Sequence, residues 1–378
     1  MKRARFFPLA QRQRRPLTLR SELGDVALTV DYGQDRATGQ WGCPIRQAWG
    51  LTPHQTMTPV WAEKLAFTAT ATGSYEQAAA VASHWGRPVD DSPVHALVQR
   101  LGQRAQTQAQ ARYETPPAER TPQRAPTALG VALVDGCQVR ERGPGWGKKK
   151  TKKNRVEWHE LKLGVFYRHE QAAQTEGGRG LLNEKVVVTW MGPPLELGRR
   201  LHWEAQREGL ARAQALLFLG DGAPWVWGLK ADRFPTAHEL LDFFHGSEHL
   251  WELGRVWHGE DSPGLPPWAE ARLHRLRHGR EREVLEEIAG LKRRRRATGQ
   301  KLAQEQHYFT EHAGRMNYQA AARRGWPIGS GAVESACRQQ QNRFKRCGQF
   351  WTRPGLRNLA ALTEARHNHH WDQLWLTA

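Results

Sequence analysis

The chain has 378 residues, 39% of them hydrophobic, and carries 56 Lys and Arg against 38 Asp and Glu, a formal net charge of +18. That length exceeds one compact domain of usual size, so a large domain with at least one smaller module is expected. The excess positive charge favours a polyanion, because each neutralised phosphate releases condensed counterions. No apolar run of the ~18 residues that would span a bilayer occurs, which sets a membrane partner aside.

Four cysteines (Cys43, Cys137, Cys337, Cys347) include no C-x-x-C pair. This argues against a disulfide framework or zinc ribbon and for a reducing, cytoplasmic setting near the nucleoid. Tryptophan is over-represented; Trp158, Trp203 and Trp371 sit beside charges, and Trp351 two residues from Arg353. Core or subdomain contacts are expected of most of them.

Residues 1–40 open on MKRARFFPLAQRQRRPLTLR, Arg-rich and poor in acids, without an apolar stretch for secretion; they read as a basic arm. Residues 41–104 are predicted helical. There SYEQAAAVASHW, GRPVDD and SPVHALVQRLG give helix, turn and helix, a pattern that fits either a DNA-reading helix-turn-helix or plain helix packing. Residues 105–128, rich in Gln, Ala, Pro and Thr, read as a linker.

From 129 to 247 the texture changes. ALGVALVDGCQVR, HELKLGVFYRH and NEKVVVTWMG are three β-rich runs separated by polar or glycine-rich turns, which predicts three antiparallel strands. The first connection, ERGPGWGKKKTKKNR, puts Lys148, Lys149, Lys150, Lys152 and Lys153 at a hairpin tip: a solvated turn or, beside DNA, a phosphate-gripping finger. LGRRLHWEAQREGLARAQ supplies a helix, ALLFLGDGAPWVW a buried strand ending in Asp221, and a further helix and strand reach DFFH at 242–245. Three strands, helix, strand, helix, strand is the order of an RNase H-like α/β fold, whose mixed sheet carries acids at strand ends. Residues 248–325 read as a basic helical insertion, with Arg293, Arg294, Arg295 and Arg296 in one run. The segment 326–378 reads as a final helix, started by GWPIGSGAVESACRQQQNRFKR, and a tail.

Cleavage of a phosphodiester without a covalent protein intermediate is served by two divalent ions, and hard cations need carboxylates. Asp135 ends VALVD before Gly136, and Asp221 ends ALLFLGD. If their strands are neighbours, the two carboxylates face each other across one site for two Mg²⁺ or Mn²⁺ ions. Glu334 falls in the first turn of the last predicted helix, from which Arg338, Gln341 and Lys345 continue one polar face suited to phosphate. Each acid also has a local reading, as a turn residue or a helix-dipole partner. It is their order along a matching series of elements that favours catalysis.

The blocks VALVDG, GDGAPWVWGL, DFFHGSEHLWE and WPIGSGAVESACRQQQNRFKRCGQFW resemble the signature blocks of bacterial Asp-Asp-Glu insertion-sequence transposases of the ISKra type, more distantly the Mutator-like group. The resemblance spans roughly residues 50–370. It implies that Asp135, Asp221 and Glu334 are metal ligands, that Asp242 and His245 (D-x-x-H) lie close to the site, and that a helical insertion separates the second Asp from the Glu. The expected activity is cleavage of terminal inverted repeats and joining to target DNA, by a homodimer or higher oligomer on double-stranded DNA.

Trp225 and Trp227 either stack on an unpaired base at the element's end or simply pack. His245, Arg338 and Lys345 are expected to orient the scissile phosphate, and Arg343 to join the basic contacts. Two rival functions remain: a transposase-derived regulator that binds DNA without cutting it, and a zinc metallopeptidase using H-x-x-E-H at His245–His249.

Overall fold

Leu17, Leu19 and Val30 are buried members of alternating runs, and they make a sheet of the segment whose composition reads as a basic arm. The computed structural model describes residues 8–49, 51, 55–115, 125–147, 154–176, 180–292 and 299–375. The chain divides into two compact units, Met1–Thr107 with Asn358–Ala378, and the intervening Gln108–Arg357.

In the first unit, β1 (Leu9–Arg20) and β2 (Asp25–Asp35) pair antiparallel, and β3 (Trp41–Gly42) joins the far side of β2. Ser21 closes the β1–β2 turn by donating its hydroxyl to the Gly24 carbonyl at 2.6 Å. Leu17, Leu19, Val30, Cys43 and Leu51 form the small core beneath. Arg12, Arg14 and Arg15 occupy the exposed part of β1, so charge on the solvent face hid a strand that buries only two leucines.

Helices follow: α1 (Pro44–Ala48), α2 (Pro59–Ala71), α3 (Tyr75–His84) and α4 (Asp91–Glu114). Thr58 and Ser74 cap α2 and α3 by accepting the Trp61 and Gln77 backbone N–H groups. The expected helix pair is therefore α3 and α4. However, α4 opens on exposed Asp91, preceded by exposed Asp90, where a DNA-reading helix would present its N-terminal turn to bases.

The linker expected at 105–128 begins as helix, because α4 runs on to Glu114. Ala105 and Ala109 continue the buried stripe of Val94, Leu97, Val98 and Leu101, and Ala and Gln are strong helix formers. Of that stretch, residues 116–124 lie outside the described residues, as do Lys148, Lys149, Lys150, Lys152 and Lys153 and Arg293, Arg294, Arg295 and Arg296.

Where a tail was expected, Arg353–His367 forms a helix, with Leu359 and Leu362 fully buried. Its residues from Asn358 onward belong to the first unit. There the Asn358 amide donates to Gln99 at 2.8 Å, and its backbone occupies the space a Cβ on Gly102 would need.

The second unit is built on a five-stranded mixed sheet in the order β10-β9-β4-β5-β8, from β4 (Thr127–Arg142), β5 (Val156–Arg168), β8 (Val186–Trp190), β9 (Ala213–Gly220) and β10 (His238–Leu241). A short hairpin, β6 (Ala172–Gln174) and β7 (Gly180–Leu182), interrupts the second connection. Strands β4, β5 and β8 are antiparallel neighbours, whereas β9 pairs parallel to β4 and β10 parallel to β9. Val131, Ala132, Leu133 and Val134 are at most 1% exposed, as a central strand covered on both faces requires.

Helix α5 (Pro194–Arg207) packs on β5 and β8, and α6 (Pro224–Arg233) follows β9. The remaining helices are α7 (Phe243–His258), α8 (Leu265–Arg277), α9 (Glu281–Gly290), α10 (Gly299–Glu311), α11 (Tyr318–Arg323) and α12 (Gly331–Phe344). Successive strand residues face opposite ways, so register fixes which helix covers which face. Leu201 of α5 lies against Gly164, which pairs with Val134, while Cys337 of α12 bonds Asp135, one residue out of phase. Helices α5 and α12 therefore sandwich the sheet. Among the described residues, no helix is long and apolar enough to cross a membrane.

Candidate active site

The parallel ladder between β4 and β9 ends at Leu133 opposite Leu219. Two residues further along each chain segment stand Asp135 and Asp221, at the same level. Asp221 lies just past the end of β9, whereas Asp135 is inside β4, which goes on pairing with β5 as far as Arg142 and so does not end at the acid as the sequence suggested. Strand β10 ends beside them, with Leu241 opposite Gly220 and the Asp242 N–H donating to the Gly220 carbonyl at 2.8 Å.

Asp135 is half-buried. Burial raises its carboxyl pKa above the ordinary value, bonds from the Cys337 thiol and the Gly136 N–H (2.6 Å) pull it back, and the charges of Asp221 and Glu334 push it up again. The three acids thus share one electrostatic field. None of them forms an ion pair with Lys, Arg or His among the described residues, in a chain of net charge +18. Beneath them, burial first and then the Asp135 charge push the Cys137 thiol up to about 12, and burial raises Cys337 as well.

Each carboxylate is turned toward a local donor. Asp221 accepts the Ala223 N–H at 3.0 Å in a side-chain turn, and exposed Glu334, in the first turn of α12, accepts the Ser330 hydroxyl. Among the described residues no three His, Cys, Asp or Glu side chains stand in an arrangement that holds a metal ion. The donor set is nonetheless all carboxylate oxygen, the chemistry hard divalent ions require, and its mutual repulsion is relieved by a cation.

Asp242 is 1% exposed and both its oxygens are used: one accepts the His245 N–H at 2.7 Å as the N-cap of α7, the other the Ser330 N–H. It is walled off from any substrate and positions the loop that leads to Glu334. His245 is half-buried, with its Nδ1 at 3.6 Å from Glu248. His249 is held by Glu305 at 2.7 Å and stacks on Tyr308 at 3.6 Å, while its ring meets that of His245 edge-on at 5.0 Å. A cleft of about 420 Å³, lined by Glu248, His249, Trp251, Glu252, Arg255 and Glu305, lies along that helix face.

Trp225, in the first turn of α6, is half-buried with the Lys162 ammonium 5.6 Å from its ring centre. Trp227 is 7% exposed and packs against Phe218, His312 and the Arg315 guanidinium, which settles it as a core residue. Arg338 and Lys345 are exposed along α12 and just beyond it. Arg343, expected on the phosphate-facing surface, is instead 5% exposed with its guanidinium 5.4 Å from the Trp351 ring centre. At its helical position it points inward, three residues from Gln340, which is buried too.

Sequence reasoning missed Tyr308 and His312, one helical turn apart. The Tyr308 hydroxyl donates to the Asp221 carbonyl at 3.2 Å, and His312 bonds the Gly222 backbone while its Nδ1 faces the Arg315 guanidinium at 3.1 Å. With Arg315 donating at Nδ1, the proton sits on Nε2 and goes to the Gly222 carbonyl. Burial lowers the His312 pKa, so a neutral ring makes both bonds. The i, i+4 spacing of the two aromatics in HYFTEH was the available signal. Comparison with protein-family models gave no match, and comparison with curated proteins gave none.

Proposed function

We propose that the chain is a DNA transposase that cuts the ends of an insertion element and joins the 3′ ends to target DNA by two-metal phosphoryl transfer on an RNase H-like core. The observation that carries this reading is the group of Asp135, Asp221 and Glu334, electrostatically coupled and without a cationic partner among the described residues of a strongly basic chain. The strand order β10-β9-β4-β5-β8 supports it, because three antiparallel strands continued by two parallel ones is the expected arrangement for such a core.

When bound, a pair of Mg²⁺ or Mn²⁺ ions would supply charge stabilisation to the attacking and leaving oxygens. Asp135 and Asp221 would hold them, with Glu334 completing the set from α12. Tyr308 and His312 fix the turn that carries Asp221. Asp242 fixes Ser330, and through it the start of α12. Arg338 and Lys345, exposed beyond Glu334, would meet the phosphate backbone, with His245 helping to orient the scissile phosphate and Trp225 near it. Two element ends must be brought together, which calls for a homodimer or larger assembly on double-stranded terminal repeats.

The test is strand cleavage of duplex DNA carrying the element's ends in Mg²⁺ or Mn²⁺. Asp221→Ala, shown folded by circular dichroism, is expected to bind DNA and cut at background level. Nicking retained by that variant would overturn the assignment. Wild-type protein that binds and never cuts would instead identify a regulator.

A further inference from the structure

Trp158, expected in a core, is 54% exposed. It lies on β5 directly opposite Arg140 of β4, in the part of the hairpin that runs past the end of β9. The Arg140 guanidinium lies 6.0 Å from the Trp158 ring centre and 5.1 Å from that of Phe350, and the Lys345 ammonium stands 5.7 Å from Trp158. Phe350 is 4.9 Å from Trp146, whose ring has Arg142 at 5.9 Å. Aromatic faces and cations alternate across one surface.

These cations are not neutralised from within. Arg140 and Arg142 donate to main-chain carbonyls of residues 345–350, which leaves their charge intact, and neither they nor Lys345 pair with an acid among the described residues. The nearby acids are already taken: Glu157 by Arg155 and His159, and Glu141 by Arg353. Arg140 lies five residues beyond Asp135, about 17 Å along the strand. Lys345 lies eleven residues beyond Glu334, about 16 Å along helix α12. It is also close enough to Cys137 for its charge to act on that thiol. The patch therefore sits at the far end of the two elements that carry the carboxylates.

We infer that this surface binds a single-stranded stretch of DNA continuing from the cleavage site, with Trp158 stacking on an unpaired base and Arg140 and Lys345 holding the flanking phosphates. An indole presented by half its surface offers a π-face that a base inside a duplex cannot meet, because that base is already stacked on its neighbours. A base freed from pairing can meet it, with little regard to sequence. The cations beside it supply the charge complementarity.

The inference rests on reading the chain as an enzyme that acts on DNA, and its test is separate from the cleavage assay. Fluorescence anisotropy with labelled oligothymidylate, and with a duplex of equal length, compares the full-length wild type with Trp158→Ala, Trp158→Phe and Lys345→Ala. Removing the ring is expected to weaken oligothymidylate binding about tenfold, within the range of one base–aromatic stack, and to change duplex binding less than about twofold. Trp158→Phe is expected to restore most of the loss. Lys345→Ala is expected to weaken both ligands and flatten the salt dependence by about one phosphate contact. Unchanged oligothymidylate binding in Trp158→Ala, or equal loss on both DNAs, overturns the inference. So does a Trp158→Ala defect confined to vesicles containing anionic phospholipid, since that would mark a membrane-facing patch. If Trp158 binds single strands in a protein that cuts nothing, this surface stands and the transposase reading falls; cleavage without any role for Trp158 does the reverse.

Discussion

Replacing Gly222 by alanine tests whether the turn after Asp221 is as tightly determined as its surroundings indicate. Gly222 has φ +99°, outside the range an L side chain adopts readily, and its added Cβ would lie 2.9 Å from both His312 Nε2 and Tyr308 Cε2. The backbone strain costs about 1–2 kcal/mol. The overpacking costs about 1–3 kcal/mol more, because His312 is bonded on both ring nitrogens and Tyr308 is stacked on His249, so neither can give way cheaply. At 2–4 °C per kcal/mol for a unit of this size, the sum of roughly 3 kcal/mol lowers the unfolding midpoint by roughly 6–12 °C.

Gly228 supplies the control. It lies on the exposed side of α6, six residues away, with ordinary φ and nothing within 4 Å of a new Cβ. Gly228→Ala is expected to stabilise by about 0.5–1 kcal/mol, since alanine loses less backbone entropy in a helix. Thermal unfolding of the two variants should therefore move in opposite directions, and only Gly222→Ala should lose cleavage well below its own midpoint. A Gly222→Ala midpoint within 2 °C of wild type, on the order of 1 kcal/mol or less, would refute the described turn.

Two further changes probe the same site. Tyr308→Phe removes the donor to the Asp221 carbonyl while keeping the ring on His249; it is expected to cost about 1 kcal/mol of stability and to lower kcat about tenfold with little change in KM for DNA. Asp135→Asn should raise the thermal midpoint at neutral pH without divalent ions while abolishing cleavage. Because the folded pKa of Asp135 is raised, its ionisation destabilises the fold progressively as pH rises from the ordinary carboxylate value of 3.8 through the raised one. The advantage of Asn should therefore be full above that raised pKa and vanish in acid below 3.8, as a pH series of melts would read.

The acids at 135 and 221 were legible because a strand covered on both faces must be an unbroken apolar run, and a carboxylate that ends such a run stands out. Glu334 was legible because glycine-rich punctuation announces a helix start. Segments with a thin or one-sided apolar pattern were misread. Strand β1 buries two leucines among arginines, and the helix at 353–367 follows a stretch whose basic and polar residues read as a tail.

By itself the sequence determined which stretches alternate with period two or 3.6, and hence where a carboxylate closes a buried apolar run, although β4 itself continues beyond Asp135 to Arg142. Only the tertiary structure decided that β4 and β9 are neighbours, that Tyr308 and His312 hold the turn after Asp221, that Arg343 turns inward and that Trp158 faces solvent. Periodicity is local: it reports that a face is covered, whereas what covers it is chosen by contacts between residues far apart in the chain.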